Sequence, residues 1–363
     1  MAIDIHLPVF RRYQRRWVAL ISVAWAIVDL FRVLILSLNR RVEDYPFQDI
    51  TWTLAISRFL MVWLLSAMFI YIVLLRFKRW FGGWSLFTGN LIKGAILCVG
   101  VAIMNVLVLF VLCIFYYGLG AQDSLDRVLY YTFNTPWLFD NLLFWVLVIT
   151  PTQLLLEINE KYSPGVFLEI FFGKYIQPRE EERIIMFIDL KDSTPIAEQL
   201  GHKKYFLFIR DFINSISTAV LEYNGRIYQY VGDEVVVSWK IGKDGHNGKA
   251  CIRALIAARK LLQQENPHFR QNYNILPEFR VGIHAGKVMV GEIGVIKKDL
   301  AMSGDAMNTA ARIRSATSEL KHRFIMSKDF VDRINLEGFQ AQSLGQVDLK
   351  GKEGSVELFS LHI

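Results

Sequence analysis

A chain of 363 residues exceeds what one hydrophobic core comfortably serves and predicts two domains, each large enough to bury its own. Apolar residues make up 53% and charged residues 21%, and they are segregated: Leu, Val, Ile, Phe and Trp dominate the first 160 positions, while charge and Gly gather after Glu157. The net charge of +7 does not point to nucleic acid, because part of it sits where membrane topology would put it, with Arg11, Arg12, Arg15 and Arg16 before the first apolar run and Arg76, Lys78 and Arg79 after the second. Cys98, Cys113 and Cys251 form neither a disulfide framework nor a metal-ligand spacing and read as core residues.

Four apolar segments are long enough for a bilayer, which takes about 20 helical residues: Val18 to Leu38, Trp52 to Leu75, Leu91 to Tyr117 and Trp137 to Leu156. They predict a transmembrane bundle of about four helices over residues 1–156. No small-residue cleavage site follows the first segment, so it is expected to be retained. An even number of crossings returns both ends to one side. The basic residues assign that side to the cytoplasm, with the loops around Glu43 to Asp49 and Ala121 to Asp126 outside. The expected location is therefore the inner or plasma membrane, in contact with membrane lipid, with the N-terminus and the second domain cytoplasmic. Asp29, Arg32 and Arg58 fall within the spans at depths that allow pairing. Ionisable groups there are costly, and they mark either a site for an unknown ligand or an ion pair that fixes helix packing.

Residues 157–182 read as a connector: an amphipathic stretch with Phe167, Leu168, Ile170 and Phe171, then Gly173 and Pro178, then a charge run from Arg179 to Arg183. Residues 183–363 alternate between strand and helix patterns. Strands are predicted at Arg183 to Leu190, Arg226 to Tyr230, Val235 to Trp239, Phe279 to His284 and Lys287 to Gly291. Helices are predicted at Lys203 to Glu222, Gly248 to Gln264 and Ala306 to Ala316, with a closing helix and strands to Phe359. This is the pattern of an α+β domain.

Within it, Asp189 ends the first strand and Asp233 sits at the tip of the hairpin. If those strands are neighbours, the two carboxylates converge and suit hard divalent cations; singly, each reads as a turn or cap residue. Asn308 and Arg312 stand four apart on one helical face, an amide and a guanidinium suited to a ribose and a phosphoryl group, while Asp305 is expected to cap that helix. His284 lies in an apolar strand pattern and reads as packed, not catalytic.

Five motifs in order, Phe187 to Thr194, Tyr230 to Glu234, Arg280 to Gly286, Ser303 to Arg312 and Leu349 to Lys352, resemble the class III adenylyl/guanylyl cyclase catalytic domain. The resemblance implies a ferredoxin-like core acting as a head-to-tail homodimer, with each site built from both chains. It implies two divalent cations, Mg or Mn, on Asp189, Asp233 and the main chain of Leu190, with Asn308 orienting ribose, Arg312 offsetting transition-state charge and Lys350 on the terminal phosphates. The implied reaction is in-line attack of the ribose 3'-hydroxyl on the α-phosphorus of ATP, giving cyclic AMP and pyrophosphate.

The sequence departs from the family pattern at the base-selecting positions, which are Gln229 and Ala301. Gln229 both donates and accepts and Ala301 does neither, so ATP is favoured only because the guanine-type acid is missing. Ser193 stands where an aromatic residue is common; Ser193 and Thr194 either contact phosphate or cap the following helix. The alternatives are a guanylate cyclase and a membrane receptor with a silent cyclase-like domain. A dinucleotide-making cyclase is disfavoured because no Gly-Gly-acid-acid-Phe turn occurs.

Overall fold

The computed structural model describes residues 8–38, 46, 51–80, 86–161, 166–241, 246–296, 298–334 and 339–362. It divides into two compact units that part at residues 159 and 160. The loop around Glu43 to Asp49 lies outside the described residues except for Pro46.

The first unit is helical: α1 (Pro8–Leu38), α2 (Trp52–Trp80), α3 (Leu86–Phe115), α4 (Ala121–Asn134) and α5 (Trp137–Lys161). Four of these contain stretches long and apolar enough to cross a membrane, at Arg15–Leu36, Trp52–Ile72, Leu91–Phe115 and Trp137–Ile158. The third expected span is a single helix. The segment expected as an outer loop is instead α4, which buries Ser124 and Val128 on one face; its charges Asp123, Asp126 and Arg127 hide that sparse stripe. Asp29 and Arg58, 1% and 3% exposed, form a two-pronged pair, with Nε to Oδ2 at 2.7 Å and Nη2 to Oδ1 at 3.0 Å. Arg32 Nη1 donates to Asn141 Oδ1 at 2.7 Å, and its guanidinium lies 4.4 Å over the Phe144 ring.

The second unit opens with α6 (Val166–Phe171), followed by β1 (Arg179–Leu190), α7 (Ser193–Glu222), β2 (Arg226–Val231), β3 (Glu234–Lys240), α8 (His246–Gln264), α9 (Asn266–Tyr273) and β4 (Phe279–Ile293). It continues with β5 (Asp299–Ser303), α10 (Asp305–Ala316), β6 (Phe324–Ser327), α11 (Lys328–Val331), β7 (Gln340–Asp348) and β8 (Ser355–His362). One sheet runs β2-β3-β1-β4-β6-β8-β7, with β5 paired to β4. Its first four strands, each antiparallel to its neighbours and linked by α7 between β1 and β2 and by α8 and α9 between β3 and β4, form the expected ferredoxin-like core. β1 and β3 are central strands buried on both faces, which is why Ile184 to Ile188 and Val235 to Val237 are unbroken apolar runs.

One face of the sheet packs against Phe208, Phe212, Ile216, Leu255 and Phe269 of α7, α8 and α9. The other face receives Ala306 and Ala310 of α10. α10 approaches β4 so closely that a Cβ on Gly282 would stand 2.3 Å from the Arg314 nitrogen and 2.6 Å from the Ala310 oxygen. α7 begins ten residues earlier than the helical spacing indicated and bends at Gly201, whose φ of 68° only a residue without Cβ adopts freely.

α6 is tied to the feet of three strands. Glu169 accepts from Arg226 Nη1 at 2.6 Å, Lys240 Nζ at 2.8 Å, Lys174 Nζ at 3.0 Å and the Tyr175 hydroxyl at 3.0 Å. Glu181 of β1 takes Arg183 at 2.6 Å and the same Tyr175 hydroxyl at 3.1 Å. Burial opposes ionisation of Glu169, but the hydrogen bonds from Arg226, Lys240 and Lys174 outweigh it and hold its carboxyl below the usual range.

Candidate active site

The acidic corner is made by strand register. β1 and β3 pair so that Asp189 faces Glu234 across the ladder, and the turn between β2 and β3 sets Asp233 immediately beside that pair. The turn needs Gly232, whose φ is 63°. Burial raises the Asp189 carboxyl, the Arg314 guanidinium opposes the rise, and the charge of Asp233 adds to it. Asp233 Oδ2 is buried with no hydrogen-bond partner among the described residues. A buried acceptor with no donor beside a second carboxylate fits a hard cation. No group of three or more His, Cys, Asp or Glu residues arranged for a metal exists among the described residues, so a cation here would take its remaining oxygens from main chain, phosphate or water. Leu190 closes β1 with its side chain 2% exposed, leaving its main chain as the only polar group it offers.

α10 carries the next group. Gly304, not Asp305, is the residue before the helix, and no side chain caps it. The expected cap is corrected: the Asp305 carboxylate accepts from Lys352 Nζ at 2.6 Å, and Thr309 Oγ1 accepts from the same amine at 2.8 Å. Lys352 thereby anchors the turn that carries Lys350, whose own side chain is exposed. Asn308 is exposed and Arg312 half-buried. A Cβ on Gly351 would lie 3.6 Å from Arg312 Nη2, so Arg312 lies against this turn. Arg314, two residues on, faces elsewhere: its Nη2 is 2.5 Å from Glu234 Oε2 and its Nη1 is 3.5 Å from Asp189 Oδ2.

Ser193 opens α7, where Asp192 is the cap residue but gives no side-chain hydrogen bond. Ser193 lies near the Tyr205 hydroxyl, which burial and the charges of Asp233 and Asp189 raise and which Ser193 pulls the other way. Thr194 is exposed. Gln229 is exposed on β2 and Ala301 half-buried on β5; their strands are linked through neighbours, the Met302 amide donating to the Tyr228 hydroxyl at 2.8 Å. His284 is buried, bonds Ser327 Oγ through Nδ1 at 2.8 Å and is held by burial at about 4, against the charge of Asp329. Sequence reasoning missed Glu234, Tyr205 and Arg314. Each gains its place from register or helix packing, and only the repeated basic residue after Arg312 was visible as a signal.

A family model described as adenylate and guanylate cyclase catalytic domain matches residues 176–363, just over half of the chain. The chain belongs to that family. Its cyclase domain is similar to adenylate cyclase 2 of Rhizobium meliloti (strain 1021), 30% identical over 212 residues that cover 58% of this chain and 58% of that protein. It is also similar to an adenylate cyclase of Anabaena cylindrica, 24% identical over 219 residues, covering 57% of this chain and 43% of that one. The chain thus spans about half the length of these curated relatives. A solved bacterial light-regulated adenylyl cyclase shares the fold, with a TM-score of 0.52 and 22% identity over 59% of this chain and 63% of that chain.

Proposed function

We propose that this chain is an adenylate cyclase that converts ATP to cyclic AMP and pyrophosphate at sites completed by a second copy of itself. The observation that carries the reading is the divergence of two arginines. Arg312 and Arg314 are about 200° apart around α10; Arg314 is turned to its own chain's Asp189 and Glu234, and Arg312 lies against Gly351. This supports a site in which the acidic corner of one chain is served by Arg312 of another.

In this reading Asp189, Asp233 and the Leu190 carbonyl hold divalent cations, Mg or Mn, which supply acidity to the ribose hydroxyl and charge stabilisation at the phosphates. Asn308 orients the ribose, Arg312 offsets charge growing on the phosphoryl oxygens, and Lys350 takes the terminal phosphates. Ser193 and Thr194, at the start of α7, offer hydroxyls to phosphate. Gln229 and Ala301 border the base, and ATP is preferred because neither position supplies an acid for guanine. Residues 1–156 form the membrane domain and 157–182 the connector, with the N-terminus and residues 183–363 in the cytoplasm.

The test is complementation. Full-length Asp233→Asn and Arg312→Ala each lose cyclic AMP formation by roughly a hundredfold or more. Co-expressed in equal amounts, they recover about a quarter of wild-type activity, since half the dimers are mixed and each has one intact site. No recovery from folded, associated protein would reject the shared site, and cyclic GMP from GTP in place of cyclic AMP would reassign the base.

A further inference from the structure

The acidic corner holds more charge than two aspartates. Glu234 is the register partner of Asp189 and the chain neighbour of Asp233, so three carboxylates meet where β1 and β3 end. Like charges directly opposite on a ladder repel. One cation of this chain already lies among them: Arg314 Nη2 at 2.5 Å from Glu234 Oε2 and Nη1 at 3.5 Å from Asp189 Oδ2. Its hold on the two is unequal. Glu234 is the nearer carboxylate, paired by charge with its Oε2 left without an aligned hydrogen bond, whereas the contact to Asp189 is at the limit of one. Arg314 Nε, buried beside them, has no acceptor among the described residues. The guanidinium therefore lies nearer one carboxylate than the other, and the farther one is an expected cation ligand.

We infer that Arg314 is a positioning residue that competes with the divalent cation for Asp189 while its grip on Glu234 keeps that carboxylate out of the cation's reach. This rests on the assignment of Asp189 and Asp233 as cation ligands. Entry of a divalent ion displaces the farther Arg314 contact and leaves the nearer one. The side chain thereby sets how much free cation the enzyme needs and limits the ion to the two aspartates.

Arg314 Nη1 and Asp189 are both partly solvated, so the competition is modest. Replacing Arg314 with Gln tightens cation binding by about fivefold, the ratio that a partly exposed ion pair is worth. The measurement is Mn binding to purified full-length protein without nucleotide, read from the paramagnetic resonance signal of the free ion. Arg314→Lys, which keeps the charge, stays near wild type. Arg314→Gln leaves Glu234 without its partner, so a second comparison removes both members together. Glu234→Gln with Arg314→Met binds Mn more tightly than Glu234→Gln alone by a similar factor. A structural brace predicts weaker binding in both comparisons, and unchanged or weaker binding would overturn the inference. Asp233→Asn separates the two levels of the argument: if it binds Mn as wild type does, the cation assignment itself fails, whereas loss there beside unmoved Arg314 variants rejects only the competition.

Discussion

His284 sits in β4 with its ring bonded to Ser327 and is held neutral by burial at about 4, well below the usual value for histidine. The unfolded chain binds a proton there from about pH 6.5 downward, whereas the folded chain does so only below about 4. Folded-state stability is therefore fully present above pH 6.5 and falls as pH drops toward 4, by about 3 kcal/mol at most. His284→Gln removes this titration, so the gap in unfolding midpoint between wild type and variant should shrink steadily over that window. A constant gap would show that the ring is not held neutral. At this scale the sequence was legible as to which residues stand out among their chain neighbours, while their roles belong to the proposal. Asp189, Asp233, Asn308 and Arg312 sit in motifs of their own, and His284 in an apolar run. Glu234, although it ends the Tyr230 to Glu234 motif, and Arg314 did not stand out, because where they sit depends on a ladder partner 45 residues away for one and on helix packing for the other.

At the scale of elements, α10 is seated by the absence of a side chain. Its backbone rests on Gly282 of β4 at distances no Cβ tolerates. Gly282→Ala should push the helix off the strand, at a cost of about 1 to 3 kcal/mol, and move Asn308, Arg312 and Arg314 together. The expected result is a lower unfolding temperature with a fall in kcat larger than the change in KM. A fully active variant would mean that α10 can shift without consequence. The strongly patterned elements β1, β3, α8 and α10 were visible in the sequence. β5 and α9 were not: β5 is five residues long and mixed in polarity, and α9 has a mostly polar surface around Phe269 and Tyr273. β1 also begins within the charge run assigned to the connector, since Glu180 to Glu182 pair with β4 at a solvated strand end.

At the scale of the whole molecule, the apolar half carries a buried Asp29–Arg58 pair between α1 and α2. Breaking such a pair strands one charge and costs about 3 to 5 kcal/mol, whereas exchanging its members keeps the attraction. Arg58→Ala, which leaves Asp29 buried, should therefore lower the temperature at which detergent-solubilised protein aggregates, and Asp29→Arg combined with Arg58→Asp should recover most of the loss. Failure of the exchange would mean that position, not pairing, matters. The spans themselves were legible because about 20 apolar residues in a row have few other uses; α4 was hidden because an amphipathic helix with two buried residues resembles a polar loop.

The cluster around Glu169 has a mechanical consequence. It grips Arg226, Glu181's neighbourhood and Lys240 at one end of β2, β1 and β3, and the opposite ends of those strands carry Asp233 and Asp189. Joined edge to edge, the three strands behave as a plank about 20 Å long. A tilt of about 5° at the gripped end swings the far end by roughly 2 Å over that length. On the proposed function, such a swing would exceed the roughly 1 Å to which catalytic geometry is sensitive.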